Sequence, residues 1–219
     1  MKQSPIWGIL LSLAIYFALR YYGGETGRTL LYPINLLVTF LHEFGHAMGA
    51  IITGGQVVSI RVNPDGSGLA TTIGGWRSII LMGGYVGSAI FGNLLFYFGA
   101  RQPRYSKIAL GVLSVSMLIS GLIWVDTGFT FGFLIAFALS LLLISYYTNW
   151  DRWILMFLGM ASIIFIVEDF RVGPSSDLAE YAKLFVVIPA SVWMYIWLII
   201  VVLLSIFNLR MIFNRPLTE

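Results

Sequence analysis

Residues 30–52 read LLYPINLLVTFLHEFGHAMGAII, an apolar run interrupted by His42, Glu43 and His46. On a helix, positions four apart lie one above the other on the same face, so both imidazoles can reach one metal ion. Neutral imidazole nitrogens bind zinc at about 2.0–2.1 Å. Glu43 projects to one side and does not ligate; it can take a proton from a metal-held water, the general-base role of the H-E-x-x-H arrangement. Chance spacing of two histidines on a buried helix is the competing explanation. Three observations weigh against it. The chain has only two histidines and both are here, the glutamate stands where the chemistry requires it, and ionisable groups in so apolar a segment are costly and functional by default.

The surroundings are those of a membrane protein. The 219 residues are 58% hydrophobic and 11% charged, with a mean hydropathy of +0.88. A soluble domain carries about 25% charge, and several apolar runs here can cross a hydrocarbon core of about 30 Å. No linker divides the chain, so residues 1–219 read as a single transmembrane domain. The net charge of +3 does not signal nucleic acid, because the Lys and Arg residues are scattered singly among loops and form no patch. The absence of cysteine excludes disulfides, zinc–thiolate sites and thiol catalysis. Met1-Lys2 followed by an apolar run resembles a signal peptide, but Arg20-Tyr21-Tyr22-Gly23-Gly24 follows in place of a small-residue cleavage site. The start reads as an uncleaved first span.

Apolar runs at 6–22, 30–52, 77–99, 108–125, 129–147, 154–167 and 184–207 predict an all-α polytopic membrane protein. It has about six to seven transmembrane helices, the sixth run being short for a full crossing. Tyr21, Tyr22, Trp76, Tyr146, Tyr147 and Trp150 gather at run ends, as an interfacial belt would. One stretch breaks the pattern. Val58, Ile60 and Val62 alternate with Ser59 and Arg61, predicting strands at 57–62 and 69–72 about the turn Asn63-Pro64-Asp65-Gly66. This short β-hairpin follows the second helix and cannot lie bare in lipid with unpaired edges. It forms part of the entrance to the metal site or a plain connector. The third run carries Gly83, Gly84, Gly87, Ser88 and Gly92, letting the histidine helix with its Gly45 and Gly49 approach closely.

Catalytic zinc takes three protein ligands and keeps one position open. With no cysteine and no third histidine, the remaining ligand is Asp or Glu. Counting seven alternating crossings puts the hairpin, the 126–128 loop and the 168–183 segment on one side, with Asp151 opposite. That leaves Asp65, Asp126, Glu168, Asp169, Asp177 and Glu180. Asp65 also suits an ordinary turn, and Asp177 also suits a cap on the final helix. Spacing alone does not choose among the six. The same count puts Arg20, Arg28, Arg101, Arg104, Lys107, Arg152, Arg210 and Arg215 on the far side, which the positive-inside rule makes cytoplasmic.

The run His42-Glu43-Phe44-Gly45-His46-Ala47, then Thr53-Gly54-Gly55 and Asp65-Gly66-Ser67-Gly68, resembles the site-2 protease family of intramembrane zinc metallopeptidases, and more narrowly its site-2-protease-like branch. The branch's later elements match Gly84-Tyr85-Val86-Gly87, Glu168-Asp169, Ser176-Asp177-Leu178-Ala179, Pro189 and Trp193. The Leu-Asp-Gly element of well-studied members does not occur. The resemblance implies a zinc-dependent endopeptidase of the cell membrane that cleaves other transmembrane proteins within or beside the bilayer. It implies His42 and His46 as ligands, Glu43 as base, Asp177 as the carboxylate ligand with Asp169 next, and a metal site facing the cytoplasm, opposite to the charge count. A catalytically idle membrane scaffold and a metal-ion transporter are the alternatives; a transporter would carry polar groups in several helices. Nothing in the sequence indicates the oligomeric state.

Overall fold

The computed structural model describes residues 5–170, 172–174, 176–185 and 187–214; Met1, Lys2 and Arg215 lie outside them. The chain runs α1 (Pro5–Phe17), a π turn (Ala18–Tyr22), α2 (Gly24–Ile52), β1 (Gln56–Val62), β2 (Gly68–Ile73), α3 (Arg77–Met82), a second π turn (Gly83–Gly87), α4 (Ser88–Arg101), α5 (Ser106–Ile123), α6 (Gly128–Tyr147), α7 (Asp151–Asp169), α8 (Asp177–Leu184) and α9 (Ala190–Phe213). Four helical stretches are long and apolar enough to cross a membrane: Arg77–Arg101, Ser106–Ile123, Gly128–Tyr147 and Ala190–Phe213. Ile6–Tyr22 is apolar but shorter. Helix α2 carries the histidines and Glu43, and α7 carries Asp151, Arg152, Glu168 and Asp169 near its ends. Length and apolarity alone therefore support four of the expected six to seven crossings.

The hairpin forms where alternation predicts it, with Ile60 opposite Ala70 and Val62 opposite Gly68. The outer edge of β1 is not left bare. Ile60 N–H donates to Trp124 O at 2.8 Å. The buried Thr130 hydroxyl accepts from Val62 N–H at 3.0 Å and donates to Val62 O at 2.9 Å. Arg61 pairs with Asp126 at 2.8 Å. The tip folds back along α2, where Tyr32 OH donates to Pro64 O and Thr39 OH to Gly66 O, each at 2.8 Å. The outer edge of β1 and the hairpin tip are thus paired by protein groups, as a low-dielectric setting demands.

Close helix crossings are built on glycine. A Cβ at Gly83 would stand 2.5 Å from Gly45 O, and one at Gly87 would stand 3.2 Å from Gly45 Cα. The same stripe continues on α4, but there Gly92 faces Gly159 of α7 rather than α2. Leu37 and Phe40 of α2, Leu110 of α5, Leu134 of α6 and Leu155 of α7 fill the main core.

Helix directions correct the alternating count. Gly8 packs on Met156, Tyr16 on Ala161, and Arg20 pairs with Glu168 at 3.1 Å, so α1 runs alongside α7 in the same direction. The count places Arg20 and Glu168 on opposite sides; the structure joins them. Helix α2 therefore starts on the α7 C-terminal face. It also ends there, with Gly49 against Ile79 and Ile80 of α3, which in turn packs on α8. The site-bearing helix enters and leaves on one face, and the far-side tally loses Arg20 and Arg28.

Candidate metal centre

Helix α2 presents His42 and His46 one turn apart, with ring centroids 4.8 Å apart and planes at 81°. Asp177 joins them from α8. Its Oδ2 lies 2.8 Å from His42 Nε2 and 3.1 Å from His46 Nε2. One ligand atom from each of the three residues falls within 4.8 Å of the others, a spacing that could hold a metal ion. Asp177 does not cap the final helix; it is the first residue of a separate helix. Ser176 is that helix's cap, accepting from Ala179 N–H at 3.2 Å. Leu178 and Tyr181 bury the other face of α8 against Leu81, Tyr85 and Trp197, and this packing carries Asp177 to the imidazoles.

Around this cluster the backbone does much of the positioning. His46 Nδ1 lies 2.6 Å from Ile80 O, while its Nε2 faces the Asp177 carboxylate. A neutral imidazole has one N–H. With Nδ1–H given to the carbonyl, Nε2 presents its lone pair to the carboxylate, and a proton between the two or a metal ion in its place satisfies the contact, the ligand being oriented by the carbonyl behind it. The second π turn brings Gly84 against both rings: a Cβ there would lie 2.5 Å from His42 Nε2 and 2.6 Å from His46 Cε1. Single π turns are frequent at functional sites for this kind of local re-aiming. Tyr85 sets its ring edge-on to His42 at 4.8 Å, stacks on Phe170 at 4.5 Å, and donates to Asp169 O at 3.4 Å.

Glu43 is buried and points to the other side of the cluster, beneath β2. Ala70 N–H faces its carboxylate, and Gly68 packs against it, with no room for a Cβ. Ala70 pairs with Ile60, whose own N–H points away to Trp124. The polar backbone groups of Ala70 therefore face outward, over the site. Glu43, the histidines and Asp177 line a cavity of about 520 Å³ walled by β2, Tyr85 and Ile166. Burial alone would raise the Asp177 carboxyl, but hydrogen bonds and charge from His42 and His46 outweigh it and hold the group well below the usual carboxylate range.

The other acidic candidates have separate partners. Asp65 accepts from Ser67 N–H at 2.9 Å and Ser67 OH at 2.7 Å within the hairpin turn. Asp126 pairs with Arg61, Glu168 with Arg20, and Glu180 with Lys183 at 2.6 Å. Asp169 lines the cavity but stands outside the His–His–Asp group. Asn93 of α4 bonds α9: Asn208 donates to its backbone and side-chain oxygens at 2.8 and 2.9 Å. Sequence reasoning missed Ile80 O and Ala70 N–H, which are backbone groups and leave no side-chain signal. Gly84 and Tyr85 were visible only as a packing stripe and a motif.

A donor set of two imidazoles and one carboxylate, partly buried and with a carbonyl behind His46, fits a catalytic zinc that keeps one position open. No curated protein and no solved structure matches the chain. The Peptidase M50B-like family matches residues 8–208, nearly the whole chain and every residue of the cluster. The chain therefore belongs to this family, the site-2 protease family of intramembrane metallopeptidases.

Proposed function

We propose that the protein is a zinc-dependent endopeptidase of the cell membrane that hydrolyses peptide bonds of other transmembrane proteins within or beside the bilayer. The observation that carries this reading is the meeting of His42, His46 and Asp177 at one point with Glu43 beside it, in a chain of a metallopeptidase family. Helices α1 and α7, antiparallel to Arg77–Arg101, supply two crossings beyond the four long apolar ones. That makes six, with α2 as an internal helix.

His42, His46 and Asp177 would hold the zinc. When bound, it supplies a Lewis acid that polarises the scissile carbonyl and lowers the pKa of a water towards about 7. Glu43 takes the proton of the attacking water on its carboxylate and passes it to the nitrogen of the leaving amine. Ala70 N–H faces the carboxylate and can hold one oxygen, leaving the other for the proton. A helical substrate must unwind before its peptide bond is accessible, since each carbonyl is tied to the next turn. The outward backbone groups of β2 can hold the unwound segment by strand addition.

The test is co-expression of wild type and Glu43→Gln with candidate membrane substrates. Wild type cleaves; the variant keeps its zinc and loses about 10²–10⁴-fold in rate. Equal processing by both would favour the scaffold reading, and zinc flux into liposomes would favour transport.

A further inference from the structure

A second cavity, of about 520 Å³, lies on the opposite side of α2 from the metal cluster. Its floor is Phe40, Leu41 and Phe44, residues interleaved with His42 and Glu43 but on the other helix face. One wall is α4, with Phe91, Leu94 and Phe98; the other is Tyr105 and, on α5, Ile108, Val112 and Ser116. The wall is almost wholly apolar and open to the outside of the bundle: Ile108 is 61% and Val112 63% exposed. From Tyr105 to Ser116 the groove advances eleven residues, about 16 Å at the helical rise. That is close to half of a hydrocarbon core of about 30 Å, the reach of one leaflet.

Its two ends differ. One closes on aromatic rings, with Phe44 5.6 Å from Phe91 and 6.5 Å from Trp124. The other opens at the end of α4. There Arg101 continues the Phe91–Phe98 stripe, and Arg104 sets its guanidinium 5.9 Å from the ring of Tyr105. No acidic residue occurs between residues 66 and 125, so neither wall offers Arg104 a carboxylate.

We propose that this groove binds one anionic phospholipid, its acyl chain between α4 and α5 and its phosphate at Arg104. Length, apolarity and the position of the cation select this occupant. Water does not fill so apolar a groove, and an apolar substrate helix would bring no counter-charge to Arg104. The lipid braces α2 from behind, against the turn that carries the histidines.

Native mass spectrometry tests this on the full chain reconstituted in equal parts of phosphatidylglycerol and phosphatidylcholine, then released from detergent. Wild type retains one lipid and prefers the anionic one. Arg104→Gln reduces that preference about fivefold, the worth of one basic residue at an anionic surface, while Arg104→Lys keeps most of it. Ala109→Trp and, on the exposed wall, Val112→Trp fill the groove and abolish retention of either lipid. Retention unchanged in both tryptophan variants would overturn the proposal, as would equal retention of the two lipids by wild type. A substrate helix that cross-links at Val112 and is displaced by neither lipid would overturn it as well.

Discussion

At the scale of single residues, the site depends on groups that contribute by leaving space or by aiming a partner. Gly84 is the sharpest case. A methyl group there would collide with His42 and His46 together, and because the Gly83–Gly45 crossing is itself tight, the π turn cannot retreat. Gly84→Ala is expected to lower zinc affinity by at least the 10–100-fold typical of lost supporting contacts, read by competition with a chelator, while the protein still folds and inserts. Unaltered affinity would show that the turn gives way. His42, Glu43 and His46 were legible in the sequence because helical periodicity alone fixes their relative placement. Asp177 was not legible from spacing. It lies 135 residues from His42 and reaches it only through the packing of α8. Six carboxylates were equivalent on paper, and local partners, Ser67 for Asp65 and Arg61 for Asp126, are what separate them in three dimensions.

Among elements, the hairpin was the most readable, since alternation of apolar and polar residues defines strands independently of their neighbours. Its strands extend a residue beyond the expected 57–62 and 69–72, to Gln56–Val62 and Gly68–Ile73. What the sequence did not reveal is how the edges are covered. Thr130 is wholly buried and satisfies both backbone groups of Val62. Thr130→Val keeps the shape and removes both bonds. It is expected to cost about 1–3 kcal/mol for unsatisfied buried groups, seen as a lower thermal midpoint in detergent and faster proteolysis at the hairpin. No change in either would mean that the edge finds other partners. Helix α8 escaped detection for the opposite reason. Its eight residues have little tendency to form a helix alone, and Leu178 and Tyr181 stabilise it only against α3 and α9. The last helix begins at Ala190 rather than near 184, because Pro189 fixes the backbone and lacks the N–H that a helix interior needs.

At the scale of the molecule, class and composition were plain from hydropathy, but direction was not. Counting crossings assumes that every apolar run goes through. Helix α2 breaks that assumption: its first turns lie beside Arg20 and Glu168 and its last turn against α3, both on the α7 C-terminal face. The chain has no cysteine, which makes single-cysteine labelling direct. Tyr21→Cys and Lys183→Cys are expected to react from the same side of the membrane, and Lys107→Cys from the other. Labelling of Tyr21→Cys together with Lys107→Cys would restore the alternating count. The metal cluster is likewise a property of the whole chain, since it exists only when α2, the π turn before α4 and α8 meet. Metal content of purified protein measures that meeting most directly. One zinc per chain is expected in wild type and in Glu43→Gln, and little or none in Asp177→Ala. Retention of one zinc per chain by Asp177→Ala would contradict this.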